Sequence, residues 1–157
     1  MTVRHIPRTD PIPLPARVAL CALLGVVSAV VGTGAHRMGA SMNIPYGLLL
    51  AFALLAASTV LARALAGASG LAIHLIVASL VIWQMGGYGP GGDILMPTGG
   101  SSLVTFFSLR ASVIWELGSI VIQTAILCLP ARLFDGLKER PEASESAAVA
   151  VAKERRA

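Results

Sequence analysis

Charge is scarce in this sequence. Only 13% of its 157 residues are Asp, Glu, Lys or Arg, about half the share carried by an ordinary globular domain. The deficit is concentrated: from Val18 to Leu129 the charged side chains are Arg37, Arg63, Asp93, Arg110 and Glu116. Uncharged runs of that length argue against a water-soluble domain and for helices that cross a bilayer. Aromatic residues are also few, at 5%. The cations do not interleave with them, so a pI near 9.7 gives no reason to expect a nucleic-acid partner. The two cysteines, Cys21 and Cys128, lack a CxxC spacing and sit in apolar runs. No disulfide and no metal site is expected from them. Paired carboxylates, a nucleophile–base set and a ligand cluster are all missing from the pattern, so neither an enzyme nor a cofactor is expected.

What remains is apolar: 55% of the chain is hydrophobic and the mean hydropathy is +0.78. The expected fold is all-α, a four-transmembrane-helix bundle within residues 17–134, with spans at about 18–36, 44–62, 70–87 and 111–130. Residues 1–16, with four prolines, read as a disordered N-terminal arm, and the charged 135–157 segment as a disordered tail. A basic leader before an apolar run has the shape of a signal peptide. The run from Val18 to Ala35 exceeds the roughly 7–15 residues of a signal core, so it is taken as the first span. That span carries small residues at Cys21, Gly25, Ser28, Gly32 and Ala35. In lipid, such a stripe lets helix backbones approach closely, which supplies the packing that hydrophobic burial cannot.

Between the third and fourth spans lies Gly86 to Gly100, with seven glycines, two prolines and one charge, Asp93. One carboxylate does not make a calcium site, and the loop reads as an outer connector packed on helix ends. Residues 101–109 are apolar but too short to cross alone; they read as interfacial, re-entrant or part of the fourth span. With four spans both termini share a side. Arg4, Arg8, Arg17, Arg63, Arg132, Lys138, Arg140, Lys153, Arg155 and Arg156 lie there, against Arg37 and Arg110 opposite. The positive-inside rule then gives a multi-pass plasma-membrane protein with both termini cytoplasmic, anchored by Arg17, Arg63 and Arg132. Tyr46, Trp83, Tyr88 and Trp115 all map near the outer face as an aromatic belt.

Glu116 is the candidate for chemistry, because ionisable groups within spans are costly and default to function. Ser112, Glu116, Ser119 and Gln123, spaced four, three and four, form a polar face on the last helix that should point inward. Gln84 on the third span could join it at the outer end. The structural alternative is a hydrogen-bonded seam, with Glu116 protonated or paired with Arg37 or Arg110. His74 reads as a packing residue that satisfies itself by hydrogen bonding.

Two segments carry a resemblance: PYGLLLAFALL at residues 45–55 and GDILMP at 92–97. In these and in its layout over residues 18–130, the chain resembles an uncharacterised actinobacterial family of small four-span integral membrane proteins. The resemblance implies a plasma-membrane protein without an assigned activity. Two functions follow as expectations. The first is an accessory or structural subunit, held in the lipid bilayer as a homo-oligomer or within a membrane complex. The alternative is a small proton- or cation-linked transporter or channel using Glu116.

Overall fold

The computed structural model describes residues 12–88, 91–130 and 133–134. Among these the protein is all-α, with three helices: α1 Leu14–Ala35, α2 Tyr46–Met85 and α3 Phe106–Cys128. Each is long and apolar enough to cross a membrane. A 3-10 turn, Ala40–Met42, joins α1 to α2. The charged tail from residue 135, Arg132 and most of the N-terminal arm lie outside the described residues.

α1 begins at Leu14, inside the stretch that the prolines mark as an arm. Pro15 falls in the first turn, where a helix needs no amide donor, so the prolines start this helix and do not exclude it. Its inward face is the stripe of small residues: Cys21, Gly25, Ser28 and Gly32 are buried, together with Ala29 and Thr33. The turn after it depends on left-handed backbone at Gly39 (φ 80°) and Asn43 (φ 59°). A side chain at Gly39 would also strike the Tyr46 ring and the Ile44 carbonyl.

Residues 44–87, expected as two spans, form one 40-residue helical element, so the described helices number three and not four. The physical reason is the brevity of the break: only Ala66 (φ −137°, ψ 21°) and Gly67 (φ 64°, ψ −150°) leave helical geometry. That break nevertheless reverses the chain. Ser58 and His74, 16 residues apart, would be separated by about 24 Å in a straight helix. Their side chains meet at 3.0 Å. The two limbs of α2 therefore lie against each other.

α3 is fixed at both ends. Thr105 and Ser108 form a reciprocal capping box, and the Thr105 hydroxyl also donates to the Ala40 carbonyl at 2.5 Å. Asn43 Oδ1 accepts from the Phe107 amide. Residues 106–109 thus belong to α3. At the other end Arg63 donates to the carbonyls of Ile126, Leu127 and Leu129. These are the orphan acceptors at the negative end of the helix dipole. Its guanidinium also stacks 4.3 Å from the Phe134 ring. Arg63, expected as a topology anchor, is buried at 7% exposure.

The distribution of polarity is the reverse of a soluble protein. Leu23, Leu49, Leu80 and Val121 are more than half exposed, whereas Ser28, His36, His74, Ser112, Ser119 and Gln123 are 1% exposed or less. Apolar groups outside and hydrogen-bonded polar groups inside suit a hydrocarbon solvent. The core between them contains Ala29, Leu48, Ala51, Leu55, Ala78, Ile82, Met96 and Trp115. Trp115 is fully buried, unlike Trp83 and Tyr88 at 69% and 80% exposure, and so stands apart from the aromatic belt.

Candidate functional site

The inward face of α3 consists of Ser108, Ala111, Ser112, Trp115, Ser119 and Gln123. At about 100° per residue, Glu116 lies roughly 70° from the middle of that arc. It is exposed on the flank of α3, and the indole of Trp115 takes the inward position. Three of the four residues expected on one polar face are therefore buried together, and the carboxylate is turned away from them. Gln84 is exposed on the side of α2 that faces Val30. Asp93 is exposed in the loop.

Two buried histidines organise the polar interior. The deeper centre is His74, where all the helical limbs meet. Its Nδ1 lies 2.8 Å from Gln123 Oε1 on α3. Its Nε2 lies 3.0 Å from Ser58 Oγ on the first limb of α2 and 3.4 Å from Ser28 Oγ on α1. Gln123 Nε2 donates to the Ser119 carbonyl, which turns the amide oxygen toward the ring. The network thereby assigns the hydrogen to Nδ1 and leaves the Nε2 lone pair facing the serines. The nearest carbonyl acceptors of the two hydroxyls are Leu55 O for Ser58 and Gly25 O for Ser28.

Ser58, His74 and Gln123 have the connectivity of a nucleophile, its base and an orienting acceptor. The surroundings do not suit acyl transfer. His74 and Gln123 are fully buried. Ser58 lies in a helix interior, where the neighbouring amides are already paired and cannot stabilise an oxyanion. The cluster is instead a polar tie between helices. Replacing Gln123 by Leu leaves the Nδ1 hydrogen of His74 buried without an acceptor and should cost about 1–3 kcal/mol. Adding His74→Phe should recover most of that loss, because both partners are then apolar. Thermal unfolding in detergent of the wild type, both single variants and the double variant measures the coupling.

The outer centre joins the α1 terminus to α3 and the loop. His36 Nε2 lies 3.3 Å from Ser112 Oγ, and its ring stacks over Trp115 at 6.3 Å. Arg37 donates to the carbonyls of Pro97 and Ser108 and to Ser112 Oγ. Ser112 itself donates to Pro97 O at 3.0 Å. The glycine-rich loop is thus fastened to the helix ends through Pro97, with Met96 buried beside it. Between the two histidine centres lies the apolar core. On α1 and α3 its members separate the polar residues of one centre from those of the other: Ala29 lies between Ser28 and His36, and Trp115 between Ser112 and Gln123.

The sequence offers only partial signals for these centres. Ser28 stands out there as a small residue of the α1 stripe and His74 as a packing residue. His36, Thr33 and Ser58 draw no notice. No spacing in the sequence marks Thr33 or Ser58, which lack a glycine one turn away. No family model matches the chain, and no curated protein or solved structure is similar to it.

Proposed function

We propose that the chain is an integral protein of the plasma membrane, threaded four times through the bilayer with both termini cytoplasmic. It acts as a non-catalytic accessory or structural subunit of a homo-oligomer or membrane complex, in keeping with the resemblance to the small actinobacterial four-span family. The four crossings are supported by the lengths of the two limbs of α2, residues 46–65 and 68–85. At 1.5 Å per residue each covers about 27–30 Å, close to the hydrocarbon thickness. The orientation is supported by the excess of arginine and lysine on one side.

The observation that carries the subunit reading is the arrangement of the buried polar groups. His36, His74, Ser112 and Gln123 all bind neighbouring helices, and apolar side chains fill the space between the two centres. Such an interior holds helices together; it offers a solute no polar path along the axis. Affinity purification from native membranes tests this. Recovery with a stoichiometric membrane partner, or as a defined oligomer, is the expected result. Recovery as an isolated monomer would overturn the proposal. In a Cys128→Ser background, Thr98→Cys should label from outside intact cells, whereas a tag before Met1 should label only after permeabilisation.

A further inference from the structure

Glu116 stands at the junction of two clefts. The upper cleft, of about 280 Å³, lies under the glycine-rich loop and is lined by Gly86, Gly87, Tyr88, Pro97, Thr98 and Ser112 as well as Glu116. The lower cleft, of about 250 Å³, opens sideways between the second limb of α2 and α3, and Glu116 shares it with Ser79, Leu80, Trp83, Ser119 and Ile120. One is walled by loop backbone and hydroxyls, the other mostly by hydrocarbon and an indole.

Two polar groups there, the Glu116 carboxylate and Ser79 Oγ, have no side-chain partner among the described residues. Arg37, at the rim of the upper cleft, donates to Pro97, Ser108 and Ser112 and forms no ion pair with Glu116 among the described residues. Ser79 Oγ is buried and has no hydrogen-bond partner among the described residues, a condition that costs stability unless something else supplies the partner. The Ser112 and Ser119 hydrogens already go to Pro97 O and Glu116 O. Ser112 Oγ also accepts from Arg37, which leaves the carboxylate and Ser79 Oγ as the open acceptors of the lower cleft. A set of acceptors around a negative charge calls for a donor that is positively charged. The hydrocarbon and Trp83 below call for an apolar body and a ring face against which a cation is stable.

We propose that these joined clefts are a binding site for a monocationic amphiphile, a primary ammonium on an apolar body, entering sideways from the outer half of the bilayer. The ammonium donates to Glu116 and Ser79, and the body lies against Leu80, Trp83 and Ile120. An aminophospholipid fits less well, because its phosphate would face the same carboxylate, and Arg37 already donates to Pro97, Ser108 and Ser112.

The test uses the full chain in phosphatidylcholine nanodiscs and two isosteric probes, 4-phenylbutylamine and 4-phenylbutanol, at neutral pH. The amine should bind about tenfold more tightly than the alcohol, as one charge-assisted hydrogen bond implies. Glu116→Gln should abolish that preference. Ser79→Ala should weaken the amine several-fold and leave the alcohol unchanged. Equal binding of the two probes to the wild type would overturn the proposal without recourse to any variant. So would a preference that survives Glu116→Gln. Displacement of the amine by added phosphatidylethanolamine at comparable concentration would show a lipid headgroup site instead, which also overturns it.

Discussion

Trp115→Ala should be among the most damaging single substitutions in this protein, at about 3–5 kcal/mol. The indole is fully buried, packs against Phe52 with ring centroids 5.4 Å apart, and donates from Nε1 to Thr33 Oγ1 at 3.0 Å. Lipid provides little hydrophobic drive between helices, so the loss is chiefly one of contact and of the hydrogen bond. The ring also explains a glycine. A methyl group at Gly32 would lie 2.5 Å from Trp115 Cη2 and 2.6 Å from Cζ2, inside the contact distance of non-bonded carbons. Gly32→Ala should therefore destabilise the wild type yet be close to neutral once Trp115 is alanine. That sign of coupling belongs to residues sharing one space. In a Cys128→Ser background, which removes the exposed thiol, the rate at which the fully buried Cys21 thiol becomes reactive on heating reports all four proteins. Additive losses would show that the ring is not seated against Gly32.

The second large effect is expected at the reversal of α2, where two glycines act for different reasons. A side chain at Gly67 would meet open space, but its backbone (φ 64°, ψ −150°) lies in a region that is essentially reserved for glycine. Gly67→Ala should cost about 1–3 kcal/mol through the backbone alone. Gly70 is helical, and its methyl would sit 2.5 Å from the Ala62 carbonyl oxygen, 2.7 Å from Ala66 Cβ and 3.0 Å from Cys21 Sγ. A carbonyl within a helix cannot rotate away, so Gly70→Val must push the two limbs apart. Measured by the same Cys21 reactivity, Gly70→Val should speed labelling in the native state, because Cys21 borders the intrusion. Gly67→Ala should lower the unfolding temperature with native-state labelling unchanged. An unchanged labelling rate in Gly70→Val would mean that the limbs are not packed at this level.

Much of this arrangement is legible before any coordinates. The all-helical character follows from the apolar runs, and the buried face of α1 follows from Cys21, Gly25, Ser28 and Gly32 at alternating three- and four-residue steps. The polar face of α3 is half legible. Ser112, Ser119 and Gln123 share an arc by spacing alone, but spacing cannot say where the centre of the buried arc falls. Trp115 settles that, since a ring of its size fits only where Gly32 leaves room opposite, and this turns Glu116 to the flank. The histidine centres are less legible still. His74 gains its partners from residues 46, 16 and 49 positions away, and no local pattern encodes such meetings. The break in α2 is legible, because Gly67, Ser69 and Gly70 mark a helix end in the sequence and the non-helical backbone falls at Ala66 and Gly67.

The last helix holds the acceptors on which three earlier residues depend. Arg37 reaches Ser108 and Ser112, His74 reaches Gln123, and Arg63 reaches Ile126, Leu127 and Leu129. A chain halted before Phe106 would therefore leave the Arg63 guanidinium without its carbonyl acceptors and deprive Arg37 and His74 of part of theirs. Arrival of α3 supplies the missing acceptors of all three from one element. A truncated product would present a polar signature that membrane quality control can recognise, and the finished protein would not.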